Sequence, residues 1–201
     1  MFPEVCLSLP EWVAEEVGDP KKRCGTLEER MGLAIRLSER NVAEGTGGPF
    51  GACVFEANSG LLVSVGVNIV VPAHCSVAHA EAVAIMVAQK VTGVFDLGAE
   101  GLARMDLVTS AQPCIQCFGI IWWSGISRLV VGARRADVEA ATGFREGPVP
   151  DDWVERLQHR PPLPPVEVVT ECLRDPAREV LRRYSEAGGA IYNPGSGKAA
   201  R

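Results

Sequence analysis

The stretch that decides the fold is residues 105–131, M-D-L-V-T-S-A-Q-P-C-I-Q-C-F-G-I-I-W-W-S-G-I-S-R-L-V-V. Met105–Thr109 is a short run of strand length and composition. Pro113 opens a helix over Cys114–Ser124, and Gly125 closes it. Arg128–Val131 is a further strand, apolar enough to be buried. Strands and helices alternating in this order imply an α/β domain with parallel strands in its second half.

Working outward, Ala78–Lys90 is apolar almost all round, which predicts a helix buried on most sides. Before it, Phe50–Phe55 and Leu61–Val71 flank the turn signal Asn58-Ser59-Gly60, and predict a hairpin whose second strand ends at Pro72. Thr26 and Glu29 form the T-x-x-E pattern of a capping box. Leu27, Met31, Ala34, Ile35 and Val42 then follow at helical spacing, predicting an amphipathic helix over 27–44. Gly45, Gly47, Gly48 and Pro49 stop it. Residues 1–25, with Pro3, Pro10 and Pro20, read as an extended N-terminal arm. Downstream, 143–165 read as a loop and a stiff connector that ends in P-P-L-P-P. Val166–Thr170 is a strand, and Asp175 caps a helix with Pro176 at its first position, running to about Ala187. Gly188 and Gly189 end that helix, and the small polar tail from Gly195 is expected to be mobile. The organisation is thus an arm over 1–25, a main domain over 26–160, and a C-terminal strand, helix and tail over 161–201.

Composition bounds the function. The 201 residues are 47% hydrophobic and 22% charged, which fits a globular chain and excludes a disordered one. No apolar run is long enough to cross a bilayer, and Met1–Pro10 lacks the basic flank and apolar stretch of a signal peptide. The expected setting is the cytoplasm, with no membrane partner. The formal charge of −5 suits a phosphate backbone poorly, so the expected partner is a small molecule and not a nucleic acid. Seven cysteines without a framework pattern are expected to be reduced thiols.

Two motifs carry chemistry. His79-Ala80-Glu81 stands at the start of the buried helix, and Pro113-Cys114-Ile115-Gln116-Cys117 at the start of the later one. H-x-E with P-C-x-x-C is the known signature of zinc deaminases. Cys114 and Cys117 are three apart, so their sulfurs face the same way in a first helical turn. Two thiolates and one imidazole supply three zinc ligands and keep a fourth position open for water, whose pKa the ion lowers. His79 and Glu81 are two apart and do not share a helix face. They serve one site only if the metal lies off the helix end, with both helix N-termini aimed at it. Glu81 is then free to move protons. A closed structural site, with Cys75, Cys53 or His74 as fourth ligand, is the alternative, and it leaves Glu81 without a purpose.

With these motifs the chain resembles the cytidine deaminase-like superfamily, and within it the bacterial guanine deaminases of that fold. The resemblance runs from about Met31 to Tyr192. It includes Pro49-Phe50-Gly51-Ala52, Asn68 followed by Val70-Val71-Pro72, Thr109-Ser110, Trp123-Ser124-Gly125, Asp137-Val138-Glu139-Ala140, Gly143-Phe144-Arg145-Glu146-Gly147-Pro148 and Ile191-Tyr192-Asn193. It implies a three-layer α/β/α sandwich around a mixed central sheet, in a homodimer often built with swapped C-terminal segments. It implies Zn2+ at His79, Cys114 and Cys117, Glu81 as proton shuttle, and Glu146 as a second carboxylate at the amino group. It further implies Asn68 as the amide that binds the base, Ala80 as a backbone N–H for a substrate carbonyl, and Phe50 with the partner subunit's Trp123 as aromatic neighbours of the ring. The implied activity is hydrolytic deamination of a free aminopurine, guanine to xanthine and ammonia, in purine catabolism. Ammeline, cytosine or guanosine are the neighbouring substrates; a tRNA adenosine deaminase and a non-catalytic zinc domain are the more distant readings. From the residues alone, Phe50 and Trp123 equally fit a plain core, Asn68 a strand-end cap, and Glu146 a solvated loop charge. One departure stands out: Gln112 replaces the Glu usual before the P-C step.

Overall fold

Strand side chains alternate between two faces, and here both faces are buried, so each strand feeds two cores at once. The computed structural model describes residues 4–19 and 21–195. Its elements are α1 (Trp12–Val17), α2 (Leu27–Ala43), β1 (Gly51–Glu56), β2 (Leu62–Val67), α3 (Ala80–Thr92), β3 (Met105–Ala111), α4 (Ile115–Trp123), β4 (Arg128–Ala133), α5 (Arg135–Thr142), α6 (Trp153–Gln158), β5 (Glu167–Val169) and α7 (Arg174–Glu186). The five strands form one mixed sheet in the order β2-β1-β3-β4-β5. β1 runs antiparallel to β2 and β3, whereas β3, β4 and β5 are parallel. Cys53, Phe55, Val65, Val67, Val108 and Val130 face a core completed by Leu33 and Leu37 of α2 and Val180 and Leu181 of α7. Ala52, Val54, Leu107, Leu129 and Val131 face the other, completed by Ala84, Ile85 and Ala88 of α3 and Ile121 of α4. The result is the three-layer α/β/α sandwich with a mixed central sheet.

Several local expectations hold in detail. The capping box is formed: Glu29 N–H donates to Thr26 Oγ1 at 3.1 Å, and Thr26 N–H donates to Glu29 Oε2 at 3.2 Å. α3 lies directly on β2, because Gly66 lets the backbones touch. A Cβ there would stand 2.1 Å from the Ala80 carbonyl oxygen. Ser64 donates its hydroxyl to the Ala84 carbonyl at 2.7 Å beside that contact, so the start of α3 is pinned to the sheet.

Four expectations need correction. The N-terminal arm is not simply extended, because it contains α1, whose Trp12 and Val13 are buried; Pro3 and Pro20 lie outside the described residues. The second hairpin strand stops at Val67 and not at Val71. Asn68 Oδ1 accepts the Val70 N–H at 3.3 Å, a side-chain turn that diverts the backbone from the ladder. Within 143–165 the chain forms α6, a single short helix anchored by the fully buried Leu157. α7 starts at Arg174, after Leu173 in the left-handed region (φ 49°), which puts Asp175 and Pro176 two residues further inside the first turn than the capping pattern predicts. Proline is tolerated there because first-turn N–H groups have no intrahelical partner. α5 is a further helix beyond the predicted set. The tail beyond Gly195 lies outside the described residues. Among the described residues no helix is long and apolar enough to cross a membrane.

Candidate active site

The two chemical motifs meet because each sits at a helix N-terminus rather than within a helix. His79 is the N-cap of α3 and Cys114 the N-cap of α4, both with extended backbone, and Cys117 occupies the first turn of α4. A side chain in the first turn leans back toward the helix start, so the Cys117 sulfur returns to the level of Cys114. The Gln116 side chain donates to the Val77 carbonyl at 3.2 Å and ties the two helix starts together.

The donor atoms match a tetrahedral zinc. His79 Nδ1 lies 3.5 Å from Cys114 Sγ and 3.6 Å from Cys117 Sγ, and all three donors lie within 4.8 Å of one another. Ordinary zinc–nitrogen and zinc–sulfur bond lengths at a tetrahedral angle separate N from S by about 3.5 Å. Among the described residues, Cys75, Cys53 and His74 do not join the cluster, so the closed four-ligand alternative finds no fourth residue. Cys53 faces the opposite core.

Electrostatics mark the same spot. The Cys114 thiol is drawn down to about 4, first by its hydrogen bond with Cys117 and, against the cost of burial, by its contact with His79. Cys117 is correspondingly held as the thiol, above its usual range, by the Cys114 sulfur and by burial. Burial opposes charge on His79, but the Cys114 sulfur and the nearby Glu81 and Glu146 outweigh it and raise its pKa. Glu81, only 6% exposed, is raised by burial and then by the Cys114 charge. Glu146 is pushed up to about 8 by burial, then by Cys114 and Glu81. A crowd of acidic groups in which the Cys114 charge raises Cys117, Glu81 and Glu146 is the environment a cation relieves.

These groups line a cavity of about 490 Å³, within the range of small-molecule sites. Its wall includes Phe50, Asn68, His79, Glu81, Gln112, Cys114, Phe144, Arg145, Glu146 and Tyr192. The structure therefore brings together Phe50, Asn68, His79, Glu81, Cys114 and Glu146 around one space, with Cys117 buried behind them. Glu146 is anchored through its backbone: its carbonyl accepts the Ile115 N–H at 3.0 Å, linking the loop after α5 to the start of α4. Ala80 is fully buried at the first turn of α3 and contributes no side chain to the cavity wall. Trp123 is outside the cavity of its own chain, 75% exposed at the far end of α4. Gln112 lines the wall, and its Oε1 accepts the Arg135 N–H at 3.0 Å at the start of α5.

Two aromatic residues of the wall, Phe144 and Tyr192, are not singled out as site residues by reasoning from sequence. Phe144 packs among Phe50, Tyr184 and Tyr192, with ring centroids 5.6, 6.2 and 4.6 Å away, stacked on Tyr184 and tilted against the other two. The Tyr192 hydroxyl is buried without a hydrogen-bond partner. The signal for both in the sequence is that they fall in stretches shared with the resembled family, Gly143–Pro148 and Ile191–Asn193.

Residues 25–133 match the family described as the cytidine and deoxycytidylate deaminase zinc-binding region, just over half of the chain and inclusive of both motifs. The chain belongs to this deaminase family. Among its relatives, the guanine deaminase of Bacillus subtilis (strain 168) is 37% identical over 111 residues, which are 55% of this chain and 66% of that protein. The aligned segment thus spans just under two thirds of that relative. A solved guanine deaminase from Nitrosomonas europaea is 42% identical, with a TM-score of 0.85, and the alignment covers 92% of this chain and 98% of that one. A structure of the protein NE0047 with 2,6-diaminopurine is 44% identical, with a TM-score of 0.86, covering 94% and 97% of the two chains. Within this deaminase-family chain, the matched region carries His79, Cys114, Cys117, Glu81, Asn68 and Phe50. Phe144, Glu146 and Tyr192 reach the cavity from beyond it.

Proposed function

We propose that this chain catalyses the zinc-dependent hydrolysis of guanine to xanthine and ammonia. The observation that carries the reading is one cavity beside a three-ligand metal cluster, with a buried carboxylate, Glu81, and a half-buried one, Glu146, in its wall. The similarity to guanine deaminases over nearly the whole chain supports this choice of base.

A zinc ion held by His79, Cys114 and Cys117 supplies a Lewis acid that makes water a nucleophile near neutral pH. Glu81, beside that position, takes the proton of the attacking water and passes it to a ring nitrogen. Glu146 carries the water's second proton to the amino group, so that the C–N bond breaks with ammonia leaving and the ring carbon keeps the water's oxygen as its carbonyl. The side-chain amide of Asn68 grips the edge of the base: its Oδ1 faces the Val70 N–H, which fixes the amide plane and leaves Nδ2 to donate. Phe50 and Phe144 supply apolar faces for a planar ring. The Ala80 N–H, at the positive end of α3, suits a substrate carbonyl. Residues 26–160 form the catalytic unit in this reading, and the C-terminal segment closes over it through Tyr192.

The expected assembly is a homodimer. α4 is strongly apolar, yet of its nine residues only Cys117 and Ile121 are buried. Val77, Met86, Ile115 and Trp123 stand exposed along it and the neighbouring α3. Covering this face with a second copy brings the partner subunit's Trp123 toward the site. Sedimentation of Trp123→Glu against the unaltered protein is the check, with a monomer expected for the variant.

Ammonia release by zinc-loaded protein from guanine, ammeline, cytosine and guanosine tests the function. Guanine is expected to exceed the others in kcat/KM by at least about a hundredfold, since a site built to hydrogen-bond one base rejects those that leave its polar groups unpaired. Absence of ammonia from guanine overturns the reading.

A further inference from the structure

Asn68 lies at the end of β2, where strand gives way to turn, and its backbone is held from the opposite side by Asn41 of α2. Asn41 is fully buried and every one of its polar atoms is spent. Its Nδ2 donates to the Asn68 carbonyl at 2.9 Å and to the Gly48 carbonyl at 2.8 Å. Its Oδ1 accepts the Thr46 hydroxyl at 2.8 Å. The same hydroxyl oxygen accepts the Trp12 indole N–H at 3.0 Å. Donors and acceptors run in one direction, from the indole through the hydroxyl and the amide to the Asn68 carbonyl, an order in which each bond polarises the next.

The glycine loop that closes this clasp has no room for a side chain. A Cβ on Gly47 would stand 1.8 Å from the Asn68 carbonyl oxygen and 2.8 Å from Asn41 Nδ2. One on Gly48 would stand 2.4 Å from the Tyr192 hydroxyl and 3.2 Å from Asn68 Oδ1. The loop therefore touches Asn68 on one side and the cavity wall on the other. Trp12 is itself seated by Arg40, whose guanidinium lies over the indole at 5.2 Å.

We propose that Asn41 is a positioning residue for Asn68, and that the Trp12–Thr46–Asn41 chain makes the N-terminal helix part of the base-binding apparatus. This rests on the deaminase reading for the role of Asn68, but the hydrogen-bonded chain itself does not. Replacing Asn41 strands two buried carbonyls, so the outer links are the place to cut.

Thr46→Val removes one hydroxyl at nearly constant shape. It is expected to raise KM for guanine about five- to tenfold with kcat within about twofold, the pattern of lost binding common to ground and transition states. Thr46→Ser is expected to restore KM. Ile126→Val, a comparable loss of stability in the other core, is expected to leave KM unchanged. An unchanged KM in Thr46→Val, no rescue by Thr46→Ser, or an equal rise in Ile126→Val overturns the proposal. Hydrogen exchange at the Val70 backbone N–H, which donates to Asn68 Oδ1, supplies a readout independent of substrate. It is expected to quicken about tenfold in Thr46→Val, and unchanged exchange overturns the proposal whether or not guanine is turned over.

Discussion

The two ends of β3 can be set side by side. Near its start, Asp106 is completely buried and held between two arginines: Arg30 pairs with it directly, and Arg128 donates to it at 2.6 and 3.1 Å. Beyond its far end, Glu81, Glu146 and the Cys114 sulfur crowd around His79, and neither carboxylate forms an ion pair with an arginine among the described residues. Both ends bury negative charge, which is costly unless it is compensated. At the first end the protein supplies its own cations, so the charge has a structural role. At the second no arginine pairs with either carboxylate among the described residues, and in the proposed reading a metal compensates the charge while the carboxylates move protons. The charge that the fold leaves without a protein cation is the charge available for chemistry.

The sharpest way to break this contrast is to neutralise one carboxylate at the unpaired end. Glu81→Gln is expected to lower kcat for guanine by about a thousandfold or more, with one zinc per chain still found by metal analysis and with undiminished thermal stability. A near-normal rate, or loss of the metal, places Glu81 in a structural role like that of Asp106. At the paired end the effects should reverse. Asp106→Ala leaves two guanidinium groups facing an empty buried site, and urea unfolding is expected to show a loss of about 3–5 kcal/mol, with kcat per folded molecule little changed.

Glu146→Gln is the intermediate case. It keeps the Ile115 backbone tie, so activity is expected to fall about a hundredfold without loss of stability. A change of less than threefold moves the second proton step to another group. The smallest effect belongs to a carboxylate paired near the surface. Asp137 is held down to about 2 by Arg174, which donates to both its oxygens, and by the Arg134 N–H. A depressed carboxyl stabilises the fold above its unfolded pKa and loses that contribution as pH falls. Wild type is therefore expected to exceed Asp137→Asn by about 1 kcal/mol at neutral pH, a gap that closes between about pH 4 and pH 2. A gap independent of pH over that window assigns the difference to the amide and not to the charge.

Some of this was plain in the residues. The motif pair announces its ligands because the chemistry needs particular atoms three residues apart and little else. The helix N-terminal placement of both motifs also follows from sequence, since two ligating positions that do not share a face require a site off the helix end. The capping box, the hairpin and the alternation of strands and helices along the chain are local or periodic signals and hold in the fold. What stayed hidden is set by partners distant in the chain. α6 is too short to show a period, and is held by Leu157 in a core it does not build. The strand after the hairpin turn ends early because a single side-chain hydrogen bond at Asn68 competes with the ladder. Phe144 and Tyr192 join the cavity from loops, where no periodicity points inward.

The sequence by itself marked the candidate ligand set, the carboxylate proposed to move protons beside it, and the alternation of strands and helices, because each depends on residue types at short, regular spacing. Only the tertiary structure decided which anions are neutralised by arginine and which are left for a metal. It also decided that Asn41 and Thr46 stand behind Asn68, and that Trp123 faces away from its own chain's cavity. Those outcomes depend on contacts between residues tens of positions apart, and long-range packing leaves no spacing in the chain from which it can be read.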